Sequence, residues 1–260
     1  MVGLKSLLLS GLLAVSALGA PVERQVEPRF LGSGKRGLAF NDLNALQIFL
    51  SKPVFSWSYN WAATGPTNGP EFVPMLWGPK TSGEWTQSIE ASLSAGAKCI
   101  LGFNEPDLPS QANMSPQEAV DAWKTYMNPY AGRARLGSPA VTNGGGNMGL
   151  NWLRTFLDMC AGECTVDFLA IHWYSPASEI EGFKRHVSQA IELARSHGIN
   201  EVWVTEFRGE GDPMAQIRFL AEVLPWLDGT DGVGRYAYFM VDDLVTGGGL
   251  SPVGMAYSDN

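Results

Sequence analysis

Two glutamates, Glu105 and Glu206, each close a short apolar run that reads as a β-strand: Ile100-Leu101-Gly102-Phe103-Asn104-Glu105-Pro106-Asp107 and Val202-Trp203-Val204-Thr205-Glu206-Phe207. Breaking a glycosidic bond needs one carboxyl group to protonate the leaving oxygen and a second carboxylate to attack, or to stabilise the oxocarbenium-like charge. A carboxylate pair is the minimal equipment for that chemistry. No Gly-x-Ser-x-Gly elbow is present, and no cysteine and histidine spacing resembles a zinc site. Neither a cofactor nor a metal is expected.

The elements that must position these carboxylates follow from pattern. Residues 38–41, 55–60, 72–77, 99–104, 136–141, 168–174, 202–207 and 236–240 are apolar or aromatic runs bounded by turn residues, and helix signals lie between them. Strands that are continuously apolar are covered on both faces, as in a parallel sheet wrapped by helices. Eight such units imply an α/β fold, a (β/α)8 TIM-type barrel, with reduced helices around strands two and three where the connections are short. A doubly wound open sheet is the alternative, but it lacks a glycine fingerprint. Thr81 with Glu84, and Ser115-Pro116-Gln117-Glu118, read as capping boxes. Ile180, Phe183, Val187, Ile191 and Ala194 share one helical face, which Gly198 ends. Gly144-Gly145-Gly146 and Gly247-Gly248-Gly249 mark two loops. In a barrel the site lies at the C-terminal strand ends, where Glu105 closes the fourth strand and Glu206 the seventh. Pro106 is expected to keep Glu105 extended.

Asn104-Glu105-Pro106 ending strand four, with a second glutamate ending strand seven, resembles the clan A glycoside hydrolases. Together with Gly102-Phe103-Asn104-Glu105-Pro106-Asp107, the motifs Ile171-His172-Trp173-Tyr174 and Val204-Thr205-Glu206-Phe207 resemble the fungal endo-β-1,3-glucanases of glycoside hydrolase family 128, over about residues 36 to 257. The resemblance implies retaining hydrolysis of internal β-1,3-glucosidic bonds. It makes Glu105 the general acid/base, Glu206 the nucleophile, and Asn104 the partner of the sugar 2-hydroxyl. Retention places the two carboxyls about 5 to 5.5 Å apart and requires Glu105 to start protonated.

His172 and Tyr174 end strand six, where an imidazole or phenol can hydrogen-bond Glu206; a histidine satisfied in the core is the bland alternative. Trp57, Trp61, Trp77, Trp173 and Tyr174 fall at or near strand ends, where a ring face can stack on a pyranose. About half of them are expected to touch sugar. At the end of strand eight, where many clan relatives carry tryptophan, this chain has Tyr238-Phe239-Met240, and little sugar platform is expected there. Asp107 reads as a turn residue fixing the loop after Glu105, and Asp242-Asp243 as a solvated turn. Asp167 and Glu201 begin strands and belong to the opposite face. His186 and His197 read as ordinary surface residues.

A chain of 260 residues with 45% hydrophobic content can build one large core. Lys5, the apolar run 7–18 and the small residues Ala17, Gly19 and Ala20 have the order of a secretory signal peptide, expected over 1–20. Residues 21–35 read as a polar leader, disordered or processed, and 36–260 as a single catalytic barrel. Lys35-Arg36 fits a dibasic processing site or the start of the first strand, and the strand reading is preferred. Export favours a local disulfide between Cys160 and Cys164, leaving Cys99 as a buried inert thiol. The net charge of −8 argues against nucleic acid, and the apolar N-terminal run is too short to span a membrane. The expected partner is a neutral glucan and the expected state a secreted or wall-associated monomer. A noncatalytic glucan-binding wall protein, or a hydrolase of another β-glucan linkage, are the competing readings.

Overall fold

The structure, a computed structural model, describes residues 34–259. The signal-peptide reading and almost all of the leader, 21–33, lie outside the described residues. Strands β1 (Arg36–Ala39), β2 (Trp57–Tyr59), β3 (Glu71–Phe72), β4 (Cys99–Ile100), β5 (Arg135–Val141), β6 (Phe168–Pro176), β7 (Val202–Glu210) and β8 (Val233–Tyr238) form one parallel sheet in the order β3-β2-β1-β8-β7-β6-β5-β4. Its two edges meet: Leu76 N donates to Leu101 O at 3.1 Å, Leu101 N to Pro74 O at 2.9 Å and Asn104 N to Trp77 O at 2.8 Å. The ring is thereby closed, and the eight expected strands are those observed.

The helices are α1 (Leu43–Phe49), α2 (Trp85–Ser94), α3 (Pro116–Tyr126), α4 (Gly149–Cys160), α5 (Ile180–Ser196), α6 (Pro213–Gly229) and α7 (Pro252–Asp259). No helix links β2 to β3, which are joined by a loop, and α1 has only seven residues, so this quarter of the ring is the thin one. Helix α3 begins with a true capping box: Ser115 N donates to Glu118 Oε2 at 2.8 Å and Glu118 N to Ser115 Oγ at 3.3 Å. The Thr81–Glu84 signal was misplaced. Thr81 sits inside a 3-10 turn, Pro79–Glu84, where its hydroxyl bonds Gly78, and α2 starts after that turn without a side-chain cap. After β8, Gly247 and Gly248 take positive φ in a tight turn between two short antiparallel strands, β9 (Val245–Thr246) and β10 (Gly249–Leu250). Arg36 lies within β1 and is buried, with Nη1 on Tyr257 O at 2.6 Å and Nε on Tyr236 Oη at 3.1 Å, in line with the strand reading of Lys35-Arg36.

Apolar residues separate into two buried layers. One lies between sheet and helices; the other fills the barrel interior with Trp57, Tyr59, Cys99, Phe168 and Trp203. The interior is solid near its N-terminal end, where Phe168 and Trp203 stack at 3.9 Å and the Arg235 guanidinium lies 4.6 Å from the Trp203 ring while bonding Glu71 at 2.6 Å. Trp57 fits there because Gly37 has no side chain: a Cβ at that position would stand 2.2 Å from the indole. Gly37→Ala should therefore overpack the floor and cost about 1–3 kcal/mol, read as a lowered Tm in a thermal melt. Burial pushes the Cys99 thiol up to about 11, which makes it the inert core residue expected.

Candidate active site

Each site residue is aimed by a local feature of its strand. On β6 the period of two turns Phe168, His172 and Tyr174 inward and Trp173 outward. On β7 the pairing slips between Val204, opposite Ile171, and Glu206, opposite His172. Thr205 is the extra residue, and this bulge turns Glu206 inward where strict alternation from Trp203 would face it to the helices. Just after β4, Gly102 and Phe103 both approach Trp123 of α3, which delivers Asn104 and Glu105 to the mouth.

Glu105 is not extended as expected. Its φ is +42°, in the left-handed region, while its N–H donates to Ala140 O at 2.7 Å. Pro106 disfavours the right-handed helical region at Glu105, and the tight turn that follows, with Leu108 N on Glu105 O at 3.1 Å, takes the rarer alternative. Trp61 has φ +59°. Two bulky residues in this region cost of order 1–3 kcal/mol each, a strain that clusters at functional sites.

Both carboxylates are nearly buried, Glu105 at 7% and Glu206 at 5% exposure. Oxygens of the two and a ring nitrogen of His172 all lie within 4.8 Å of one another. Trp61 Nε1 donates to Glu206 Oε1 at 2.7 Å, and the Tyr174 hydroxyl donates to Glu206 Oε2. Glu105 Oε1 bonds His172 Nδ1 at 2.9 Å, and His172 Nε2 lies 3.4 Å from Glu206 Oε1, poorly aligned for a hydrogen bond. Burial alone would depress the His172 pKa, but the Glu206 charge and the Glu105 hydrogen bond and charge outweigh it, and the net shift is upward. The imidazole thus lies between the two carboxyl groups, whose negative charge favours its protonated form. The Tyr174 phenol, buried and beside Glu206, is held protonated by a strongly raised pKa.

Above this cluster opens a cavity of about 560 Å3. Of the expected residues it contains Trp61, Trp77, Asn104, Glu105, Tyr174 and Glu206, with His172 directly beneath. Trp57 and Trp173 do not belong to it. Trp57 faces inward but lies deeper than Trp61, with Tyr59 stacked on it at 5.6 Å and Trp203 against it at 5.2 Å. Trp173 stacks on Phe219 at 5.5 Å and meets Phe183 edge-on at 5.1 Å in the helix layer.

Six wall residues were not anticipated: Asn41, Leu108, Gln111, Thr142, Asn143 and Phe239. Phe239, just beyond strand eight, joins the wall with its ring edge-on to Trp61 at 5.7 Å and to Tyr174 at 5.4 Å. Gln111 Oε1 accepts from Asn104 Nδ2 at 3.3 Å, leaving Asn104 Oδ1 as a buried acceptor without a partner. Asp107 is a clamp, taking Thr142 N at 3.2 Å and Gly149 N at 2.8 Å, and so fixes the strand-five loop to α4. Asp242 is more than a solvated turn: it accepts Asn41 N at 3.1 Å and Asp42 N at 3.0 Å, tying the β1 and β8 ends together. Asp167 and Glu201 lie at the opposite face and bond Leu136 N and Trp203 Nε1.

The hydroxyl of Tyr174 is one of two donors to Glu206. Tyr174→Phe should lower kcat by roughly 10- to 100-fold with a small change in KM, the loss for a hydrogen bond to a charged group, read by steady-state kinetics.

A closed parallel barrel with two buried, differently partnered carboxylates under an aromatic-walled cavity has the architecture of a glycoside hydrolase. The sequence profile of the glycosyl hydrolase catalytic core matches residues 37–257. A GH128 subgroup III curdlan-specific exo-β-1,3-glucanase from Blastomyces gilchristii, solved with glucose, is 58% identical, with 88% of this chain and 99% of that one covered and a TM-score of 0.86. A GH128 subgroup I endo-β-1,3-glucanase from Amycolatopsis mediterranei, solved with laminaritriose, is 30% identical over 86% of this chain and 98% of that one, TM-score 0.74. Alkali-sensitive linkage protein 1 of Schizosaccharomyces pombe is 30% identical over 252 residues, 86% of this chain. The chain spans 44% of the length of that relative. It belongs to the glycosyl hydrolase catalytic core family and, within it, to glycoside hydrolase family 128.

Proposed function

We propose that the protein is a retaining β-1,3-glucan hydrolase in which Glu206 is the nucleophile and Glu105 the general acid/base. The observation that carries this reading is the asymmetry of the pair. Glu206 accepts an N–H and an O–H on separate oxygens, an environment that favours a fixed carboxylate. Among the described residues Glu105 bonds only the His172 ring, through Oε1, which leaves its other oxygen without a protein partner and free to face the leaving group. As Glu206 attacks the anomeric carbon, Glu105 protonates the departing oxygen; a glycosyl ester forms on Glu206. Glu105 then takes a proton from water, which attacks the anomeric carbon and displaces the Glu206 carboxylate, and the configuration is retained. The unpartnered Asn104 Oδ1 suits the 2-hydroxyl of the reacting sugar, and Trp61, Trp77 and Phe239 supply ring surface.

The internal cleavage expected from sequence finds support in relatives of about 30% identity, whereas the 58% relative is described as exo-acting on curdlan. We favour attack from chain ends. Digestion of curdlan followed by chromatography distinguishes the modes: early release of one short product supports end attack, and an early ladder of oligomers contradicts it. The Cys160–Cys164 disulfide supports export to an oxidising compartment. Among the described residues no helix is long and apolar enough to cross a membrane.

A further inference from the structure

The left-handed backbone of Glu105, φ +42°, is a strained conformation for a residue with a side chain, and such strain persists only where the surroundings over-determine it. It opens a turn over 105–108 that Leu108 N closes on Glu105 O at 3.1 Å. Asp107, inside that turn, is nearly buried, and every hydrogen bond its carboxyl makes is one it accepts. Thr142 N lies 3.2 Å from both Oδ1 and Oδ2. Oδ2 also accepts from the Thr142 hydroxyl at 2.5 Å and from Gly149 N at 2.8 Å.

Both donors belong to fixed backbone. Gly149 opens α4 with φ +59°, and a Cβ there would stand 2.3 Å from Gly144 O. The N-cap residue of α4, Met148, supplies no side-chain bond, so Asp107 caps the helix from another loop. Thr142 directly follows β5, whose Ala140 O accepts from Glu105 N at 2.7 Å. The segment from Glu105 to Asp107 is therefore pinned at both ends to one rigid block. That block continues through Asn143, whose amide accepts from Tyr174 N at 3.2 Å and donates to Tyr174 O at 3.0 Å, and the Tyr174 hydroxyl donates to Glu206. Asp107 thus ties the turn that carries one carboxyl to the frame that holds the other.

We propose that Asp107 is a positioning residue for proton transfer: its bonds to Thr142 and Gly149 hold Glu105 in the left-handed conformation and aim its carboxyl at the leaving oxygen. The inference rests on the reading of Glu105 as the general acid/base. A displacement of the order of 1 Å at a reacting group can cost about 10^2-fold in rate. A residue that merely caps α4 would lower the melting temperature and leave the chemistry of the folded molecules unchanged.

The test is Asp107→Asn, which keeps the size of the side chain but turns an NH2 toward a donor. On linear β-1,3-glucan kcat should fall by roughly 10- to 100-fold, with KM within about twofold of wild type. On a dinitrophenyl β-glucoside kcat/KM reports formation of the glycosyl ester, which needs no acid, and should stay within about threefold. Its kcat, set by release of the ester to water, should fall, and azide should restore it. Azide attacks the anomeric carbon, displaces the Glu206 carboxylate and leaves as the β-glucosyl azide. An equal loss on both substrates without an azide response makes Asp107 a cap alone and overturns the proposal, as does unchanged kcat on the polymer. Glu105→Ala, assayed in parallel, separates the two levels. If it responds to azide and Asp107→Asn does not, only the positioning role falls; if Glu105→Ala does not respond, the acid/base reading falls and the positioning role with it. Should Asp107→Asn melt below the assay temperature, Thr142→Val removes the hydroxyl donor alone. Its expected loss on the polymer, about three- to tenfold for one hydrogen bond, lies in kcat; no loss, or a loss in KM alone, overturns the proposal.

Discussion

Glu206→Gln removes turnover of β-1,3-glucan by roughly 10^4-fold or more while the fold survives. The amide is the same size as the carboxylate but is a far weaker nucleophile and carries no negative charge for the oxocarbenium-like transition state. One amide oxygen remains to accept, whereas both Glu206 oxygens now receive donors from Trp61 and Tyr174. One donor is therefore left facing an NH2, at a cost of about 1–3 kcal/mol, a shift visible in Tm but small beside the stability of a barrel of this size. Glucan binding should persist, because Trp61, Trp77 and Asn104 are untouched. In Glu206→Ala, azide should enter the vacated space and yield an α-glucosyl azide from a β-glucoside. Hydrolysis at a rate within tenfold of wild type would remove Glu206 from the role of nucleophile.

Glu105→Ala separates the two half-reactions. On β-1,3-glucan, whose leaving group needs protonation, kcat should fall by roughly 10^2- to 10^4-fold, the usual worth of general acid–base catalysis. On an activated aryl β-glucoside the leaving group departs without an acid, so the glycosyl ester should form and then accumulate. Azide needs no base and should release it as a β-glucosyl azide, raising the rate. The opposite anomers from the two alanine variants are what a double displacement demands. An α-azide from Glu105→Ala would contradict the assigned roles. His172 should mediate part of this effect, because its ring bonds Glu105 at 2.9 Å and lies 3.4 Å from Glu206.

Stability should also carry a histidine signature. His186 has a pKa lowered to about 4 in the folded chain against about 6.5 unfolded. The unfolded state binds the proton more tightly, so the stabilisation from keeping His186 neutral is complete above about pH 6.5 and is lost as pH falls toward 4. Thermal melts across that range should show wild type losing Tm faster than His186→Gln; parallel curves would contradict the shift.

Much of this was legible in the chain. The two glutamates, Asn104, His172 and Tyr174 announce themselves because barrel strands end in the site and each closes an apolar run. The Ser115 capping box is local and survives folding unchanged. Trp57 and Trp173 were misjudged by proximity to a strand end alone. The two-residue alternation that makes Tyr174 inward makes Trp173 outward, and counting from Trp61 puts Trp57 in the floor. Glu206 shows that alternation alone does not place every residue, since a bulge whose extra residue is Thr205 reverses the face that alternation from Trp203 gives. Gln111, Asn143 and Phe239 come from loops or from just beyond the last strand, where the chain has no periodicity to read. The left-handed Glu105 was hidden as well, because Pro106 excludes one conformation without choosing between the others.

Proton NMR of newly formed reducing ends, during the first minutes of linear β-1,3-glucan digestion by wild type and Glu206→Gln, tests the central claim most directly. The account predicts β-anomeric ends from wild type, appearing before mutarotation produces the α form, and none from Glu206→Gln. Ends that appear first as the α anomer, or no release of any kind from wild type that still binds the glucan, would contradict it.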